Sequence, residues 1–361
     1  SYPSRTWRTM RSSRGIIRRL VIPPLALALI VVPSYSWLRA GRVPGRYMKK
    51  CQAAVFESAA APADLLLIGA SRTGFGIDND LIDLTLSNTK KFKTEKIVLL
   101  GNAESDSSMA LRTYLRERGT PRSLGIEMMI TRTGGDSAPG RYGAALTDRS
   151  YALFGADAYS GYIGGLMKDN VIGFGDVYLR SHFVSPLSFF FKHLQIGFDN
   201  ALRNPSQTVD PMNECDRQVL PVWGPVASAP YTDATPQPSE AKLKRLRNDA
   251  SRYTTINVDS RRAAGEISAM RDMVRIAKAA GVETVFFYYF PSFEEGPNVI
   301  DLDRLAARLP QAAIFDSRTV LYDKSKPGLD LQFQDRAHLT KYAAYEVSRA
   351  FAVFLQGTLK P

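Results

Sequence analysis

Short uninterrupted apolar runs, each ending at a Gly or a polar turn and followed by an amphipathic stretch, recur along the chain. This is the pattern of parallel βαβ units. Asp64 to Ile68 (DLLLI) predicts a first strand ending at Gly69, and Ile97 to Leu100 (IVLL) a second ending at Gly101. Ser123 to Met129 (SLGIEMM), Thr284 to Tyr289 (TVFFYY) and Ala312 to Phe315 (AAIF) predict the third, fourth and fifth. Their apolarity is continuous rather than alternating, as strands covered on both faces require. Helices are predicted between them. One spans Ser107 to Arg118 behind an N-cap at Asp106. A second, Ser260 to Ala280, sets Ile267, Met270, Val274 and Ala277 on one face and stops at Gly281. The last, Thr340 to Leu355, aligns Ala343, Val347, Ala350, Phe351 and Phe354. The predicted fold class is α/β, a three-layer, doubly wound, parallel five-stranded sheet whose ligands bind at the carboxyl ends of the strands.

About 150 residues separate the third and fourth strands, far more than one crossover helix needs. An insertion is therefore expected at about 135–255. It is rich in Gly and aromatics from Tyr151 to Phe183, continues through Phe189, Phe190 and Phe191, and carries a Pro-rich loop from Asn204 to Ser239. Two readings stand: a helical cap that buries its aromatics on the sheet domain, or a lid or docking surface for a lipid-embedded partner.

Charge changes the picture at the amino end. The 361 residues are 45% hydrophobic and 23% charged, a globular composition, with a net charge of +12. Eleven of the 47 Lys and Arg fall in residues 1–50, which contain no Asp or Glu, leaving 36 basic residues against all 35 acidic ones in the rest. A phosphate-binding groove needs its excess on the folded body, so no nucleic-acid partner is expected. The basic residues instead flank Leu20 to Leu38, nineteen residues without a charge that close on Tyr35 and Trp37. That length suits a transmembrane anchor with an interfacial aromatic end, and no clear cleavage site follows it. Pro23, Pro24 and Pro33 are tolerated better in a membrane helix than in a soluble one. Six Arg before the segment and five basic residues after it lean towards a cytoplasmic amino end. The expected organisation is a basic segment (1–19), an anchor in the lipid bilayer (20–38), a linker (39–63) and a folded domain (64–361) outside the cytoplasm.

Cys51 and Cys215 are compatible with one disulfide and equally with two idle thiols. The three histidines (His182, His193, His338) are scattered, so neither a metal site nor a cofactor is expected. Ser71, in Gly69-Ala70-Ser71-Arg72-Thr73-Gly74, stands just beyond the first strand, where the crevice of such a sheet opens. A serine there is a nucleophile if a base activates it, or else a simple helix cap. Asp335-Arg336-Ala337-His338-Leu339 stands ahead of the last helix, and a carboxylate three residues before an imidazole can orient the ring from one turn. The adjacent pair Glu294-Glu295 reads as a solvated loop, because neighbouring side chains rarely face each other.

A serine in a Gly-containing turn after the first strand, Gly101-Asn102 after the second, and D-x-x-H-L before a C-terminal helix together resemble the SGNH (GDSL-type) hydrolase family. The element order and anchored amino end look most like its membrane-anchored branch acting on bacterial surface polymers. That branch includes the teichoic acid D-alanyl transfer protein and the alginate O-acetylation proteins. The resemblance covers residues 64–130 and 281–356. It implies a flavodoxin-like fold, a catalytic triad of Ser71, Asp335 and His338, and an oxyanion hole using the Ser71 and Gly101 amides. Two motifs depart from the family pattern: G-D-S is replaced by Gly69-Ala70-Ser71, and G-x-N-D is missing where Met129 to Gly134 reads MITRTG. Asn102 is the candidate replacement for the Asn donor so lost, since any preorganised amide aimed at the developing oxyanion can serve. The implied function is a serine acyltransferase modifying a cell-envelope or extracellular polysaccharide, with a carbohydrate esterase or a non-catalytic scaffold as alternatives. The implied partners are an acyl donor, a carbohydrate polymer and a membrane-embedded acyl-transfer protein. The implied location is the inner membrane, with the domain periplasmic or extracellular.

Overall fold

The computed structural model describes residues 61–87, 92–98, 104–128, 230–250, 258–259, 261–291, 293, 300–335 and 337–359. The 20–38 segment, both cysteines and most of the 135–255 insertion lie outside them. Among the described residues no helix is long and apolar enough to cross a membrane.

Five strands form one parallel sheet: β1 (Leu65–Gly69), β2 (Thr94–Val98), β3 (Ser123–Glu127), β4 (Thr284–Tyr289) and β5 (Ala313–Asp316), in the order β2-β1-β3-β4-β5. That is a flavodoxin-like arrangement. All five predicted strands are present, and β4 has the predicted bounds. β2 begins three residues earlier than predicted, at Thr94, paired with Leu65 of β1. As an edge strand it leaves Glu95 and Lys96 half-buried, so charged residues enter a segment that its apolar run alone does not mark.

Side-chain alternation along the strands sorts the core into two layers. Leu66, Ile68, Leu124, Ile126, Phe287 and Tyr289 face α3 (Glu104–Glu117) and α5 (Arg261–Ala279). Leu65, Leu67, Phe286, Tyr288 and Phe315 face the other way. They pack against α2 (Asn79–Leu86), α4 (Glu240–Ala250) and the C-terminal α8 (Lys341–Thr358). The remaining helices are short: α1 (Ser71–Gly76), α6 (Leu302–Ala306) and α7 (Arg318–Leu321), with a 3-10 turn at Leu329–Leu331. Residues 230–250, the carboxyl end of the long β3–β4 connection, belong to this body. Leu243 and Leu246 of α4 are buried in the α8 layer, and the Tyr231 amide donates to Glu346 Oε1 at 3.2 Å.

The central strand β3 departs from uniform apolarity. Its α8-facing side carries Ser123, Gly125 and Glu127, while Leu124 and Ile126 fill the other side. Gly125 is required by packing, since a Cβ there would come within 2.6 Å of the Leu67 side chain and 2.7 Å of the Phe286 ring. Glu127, at the carboxyl end of the same face, is fully buried.

Candidate functional site

Ser71 opens α1 directly after β1, and Glu127 ends the adjacent β3. Both lie at the carboxyl edge, where the strand order reverses and sheets of this kind bind ligands. Ala70 is still extended (φ −92°, ψ −164°), and the chain turns into helix at Ser71. Asp78 then caps α2, its side chain accepting the amides of Asp80 (3.0 Å) and Leu81 (3.3 Å).

The Asp335–His338 turn is closed from below by a bridge between Phe333 and Leu339, both buried. The Gln334 amide donates to His338 O at 2.8 Å, and the Thr340 amide to Gln332 O at 2.9 Å. Phe333 is anchored in turn by an edge-to-face contact with Phe293, ring centroids 5.5 Å apart. Within this turn Asp335 Oδ1 accepts the amides of Ala337 (2.9 Å) and His338 (3.1 Å). Its Oδ2 lies 2.8 Å from His338 Nδ1. Partial burial pushes the Asp335 pKa up, but the His338 ring hydrogen bond, the Ala337 amide, the His338 charge and the His338 amide outweigh it. The carboxyl is thus held below its ordinary value. A carboxylate so placed directs Nδ1–H towards itself and leaves Nε2 as the basic nitrogen.

His338 Nε2 is buried and makes no hydrogen bond among the described residues, so Ser71 Oγ is not bonded to it in this structure. The imidazole packs on Phe75, ring centroids 4.3 Å apart and planes inclined by 39°. Phe75 is one turn along α1 from Ser71, and residues four apart share a helix face. His338 therefore sits against the side of α1 that begins with Ser71.

Glu127 has no counterpart in the sequence-based site. Its Oε2 accepts the Ala70 amide at 2.7 Å and the Thr73 hydroxyl at 2.6 Å. Arg72 Nε stands 3.3 Å from its Oε1, and Arg72 also donates to Phe290 O at 2.7 Å. The Tyr288 hydroxyl lies 2.9 Å from Thr73 Oγ1 and donates to Ile68 O at 3.1 Å. Gly69 is the only residue type that fits beneath this cluster, because a Cβ would meet Thr73 Oγ1 at 2.0 Å and Glu127 Oε2 at 2.4 Å. The signal in the sequence was a lone acid inside a buried strand, SLGIEMM, since a buried carboxylate has to find partners.

Gly101 and Asn102, expected at the oxyanion hole, lie outside the described residues, as do Glu294, Glu295, His182 and His193. Among the described residues no group of three or more His, Cys, Asp or Glu could hold a metal ion. No protein-family model matches this chain, and neither a curated protein nor a solved structure matches it.

Proposed function

We propose that this protein is a membrane-anchored serine acyltransferase that modifies a cell-envelope or extracellular polysaccharide through an acyl-serine intermediate. The observation that carries the reading is the His338–Asp335 pair. Nδ1 is held at 2.8 Å by a carboxylate braced on two amides, and Nε2 makes no hydrogen bond among the described residues.

In this reading His338 Nε2 takes the Ser71 proton as the hydroxyl attacks the acyl carbonyl. The leaving group of the donor departs with that proton, and Ser71 becomes the acyl ester. Nε2 next accepts the proton of a sugar hydroxyl as that hydroxyl attacks the ester, and returns it to the Ser71 oxygen as the acyl group leaves. The Ser71 and Gly101 amides, with Asn102 beside them, would stabilise the oxyanion in both steps. A hydrogen bond from Ser71 Oγ to Nε2 must form before the first step, and catalytic hydrogen bonds often tighten only when substrate binds. A carbohydrate esterase uses the same acyl-serine and differs only in that water resolves it. The unmade Ser71–His338 bond is the observation that favours a scaffold without catalysis.

The deciding experiment supplies an activated acyl ester to the full-length protein, with and without oligosaccharide acceptor, alongside Ser71→Ala and His338→Ala. Acyl transfer that outpaces release to water and disappears in both variants supports the transferase. Hydrolysis indifferent to acceptor makes it an esterase, and turnover that survives Ser71→Ala removes Ser71 from the chemistry. The topology has its own test. Residues 39–361 should be cleaved by protease added to cells with a permeabilised outer envelope, and their protection would place the domain on the cytoplasmic side.

A further inference from the structure

We infer that Glu127 is a positioning residue for the Ser71 nucleophile, acting through the turn that carries it rather than on substrate. This rests on the reading of Ser71 as a nucleophile. The helix that Ser71 opens is six residues long, too short to hold its own geometry, because helix nucleation is costly and short helices are marginal. Its orientation must come from outside. One carboxylate oxygen, Glu127 Oε2, grips the turn on both sides of Ser71, at the Ala70 amide (2.7 Å) and at the Thr73 hydroxyl (2.6 Å). The intervening Arg72 is drawn to Oε1 (3.3 Å) and to Phe290 O (2.7 Å) at the end of β4. The turn is therefore pinned to β3 and tied to β4, the interior of the sheet.

Glu127 is suited to this because it cannot move. It is fully buried on the central strand, and the space between it and Gly69 is too small to admit one further carbon. A buried acid is an expensive way to stabilise a turn, since an apolar side chain of similar size would avoid the desolvation. What the acid adds is direction. It accepts two donors at fixed angles, so the Cα–Cβ vector of Ser71 is set relative to the sheet and hence to His338.

The experiment measures phosphonylation of Ser71 by a fluorophosphonate, located by peptide mass spectrometry. It also measures kcat and KM for an activated ester. Both use the full chain, for the native protein and for Glu127→Gln, Thr73→Val and Thr73→Ser. Glu127→Gln retains an oxygen but turns an N–H donor towards Arg72, whereas Thr73→Val deletes one grip and leaves the acid in place. Each should react about 10²-fold more slowly, as displacement of a reacting group by about 1 Å costs. The fall should lie in kcat with KM unchanged, and Thr73→Ser, which keeps the hydroxyl, should restore the rate. If Glu127→Gln does not fold, Thr73→Val and its serine rescue decide alone. Native rates in folded Thr73→Val would overturn the inference while leaving Ser71 as nucleophile. Absence of label on Ser71 in the native protein would overturn the nucleophile reading, and this inference with it.

Discussion

Ser348, fully buried in α8, accepts the backbone N–H of Asp78 at 2.9 Å, so the helix that follows His338 is locked to the segment that follows Ser71. Its hydroxyl proton goes to Ala344 O at 2.7 Å, inside the same helix. Two parts of the candidate site, 270 residues apart in sequence, are thus joined in the core, where Ser348 Oγ also lies 3.3 Å from Gly76 O.

Ser348→Ala should strand the buried Asp78 amide. Leaving such a donor unsatisfied costs about 1–3 kcal/mol, and the loss should appear as a lower urea midpoint with an unchanged slope. An unchanged midpoint would show that another group takes the amide.

Asp335→Asn should lower ester turnover by roughly 10³- to 10⁴-fold, because an amide no longer enforces Nδ1–H on His338. The pH dependence has a definite sign. The folded carboxyl lies below its ordinary value of 3.8, so its contribution to stability is present above pH 3.8 and is lost as pH falls through the lower folded value. The stability difference between native protein and Asp335→Asn should therefore close only below pH 3.8. A difference that closes above that value would contradict it.

Phe75→Ala should uncover the His338 ring. Nε2 is buried beneath its neighbours, so diethyl pyrocarbonate should modify His338 slowly in the native protein and several-fold faster in the variant. Loss of the ring contact should cost about 1 kcal/mol beyond the lost apolar area. Equal modification rates would mean that Phe75 does not shield the imidazole.

Lys96, half-buried on β2, donates to Ile77 O at 2.6 Å. Burial pushes its ammonium down to about 8, against the opposing pull of Asp78 and Asp80. An unfolded lysine titrates near 10.5, so between about pH 8 and 10.5 the unfolded chain binds more protons than the folded one. The penalty for charged Lys96 is full below pH 8 and is relieved as pH rises through that window. Against Lys96→Met, the native protein should gain stability from pH 8 to 10.5. A gap that stays flat across this range would refute the depressed value.

What the sequence determined by itself was local. Apolar runs marked the place of all five strands because a strand covered on both faces is mostly apolar, although β2 begins before its run and β3 buries Glu127. One turn brought Asp335 to His338 because three residues suffice to span it. Helix periodicity also marked α5 and α8; α3 begins at Glu104, ahead of the cap expected at Asp106, and α1, α6 and α7 are too short for periodicity to register. Tertiary structure decided the rest. Glu127 meets Ala70 and Thr73 across 57 and 54 residues, Phe75 covers His338, and Ser348 holds Asp78. None of these pairings has a periodicity or spacing to betray it, since each arises where parallel strands bring distant segments to one edge of the sheet. The physical reason is that a buried polar group obliges a partner to exist without specifying which one. Only the packed sheet, with Gly69 too close to Glu127 to admit a side chain, makes that choice.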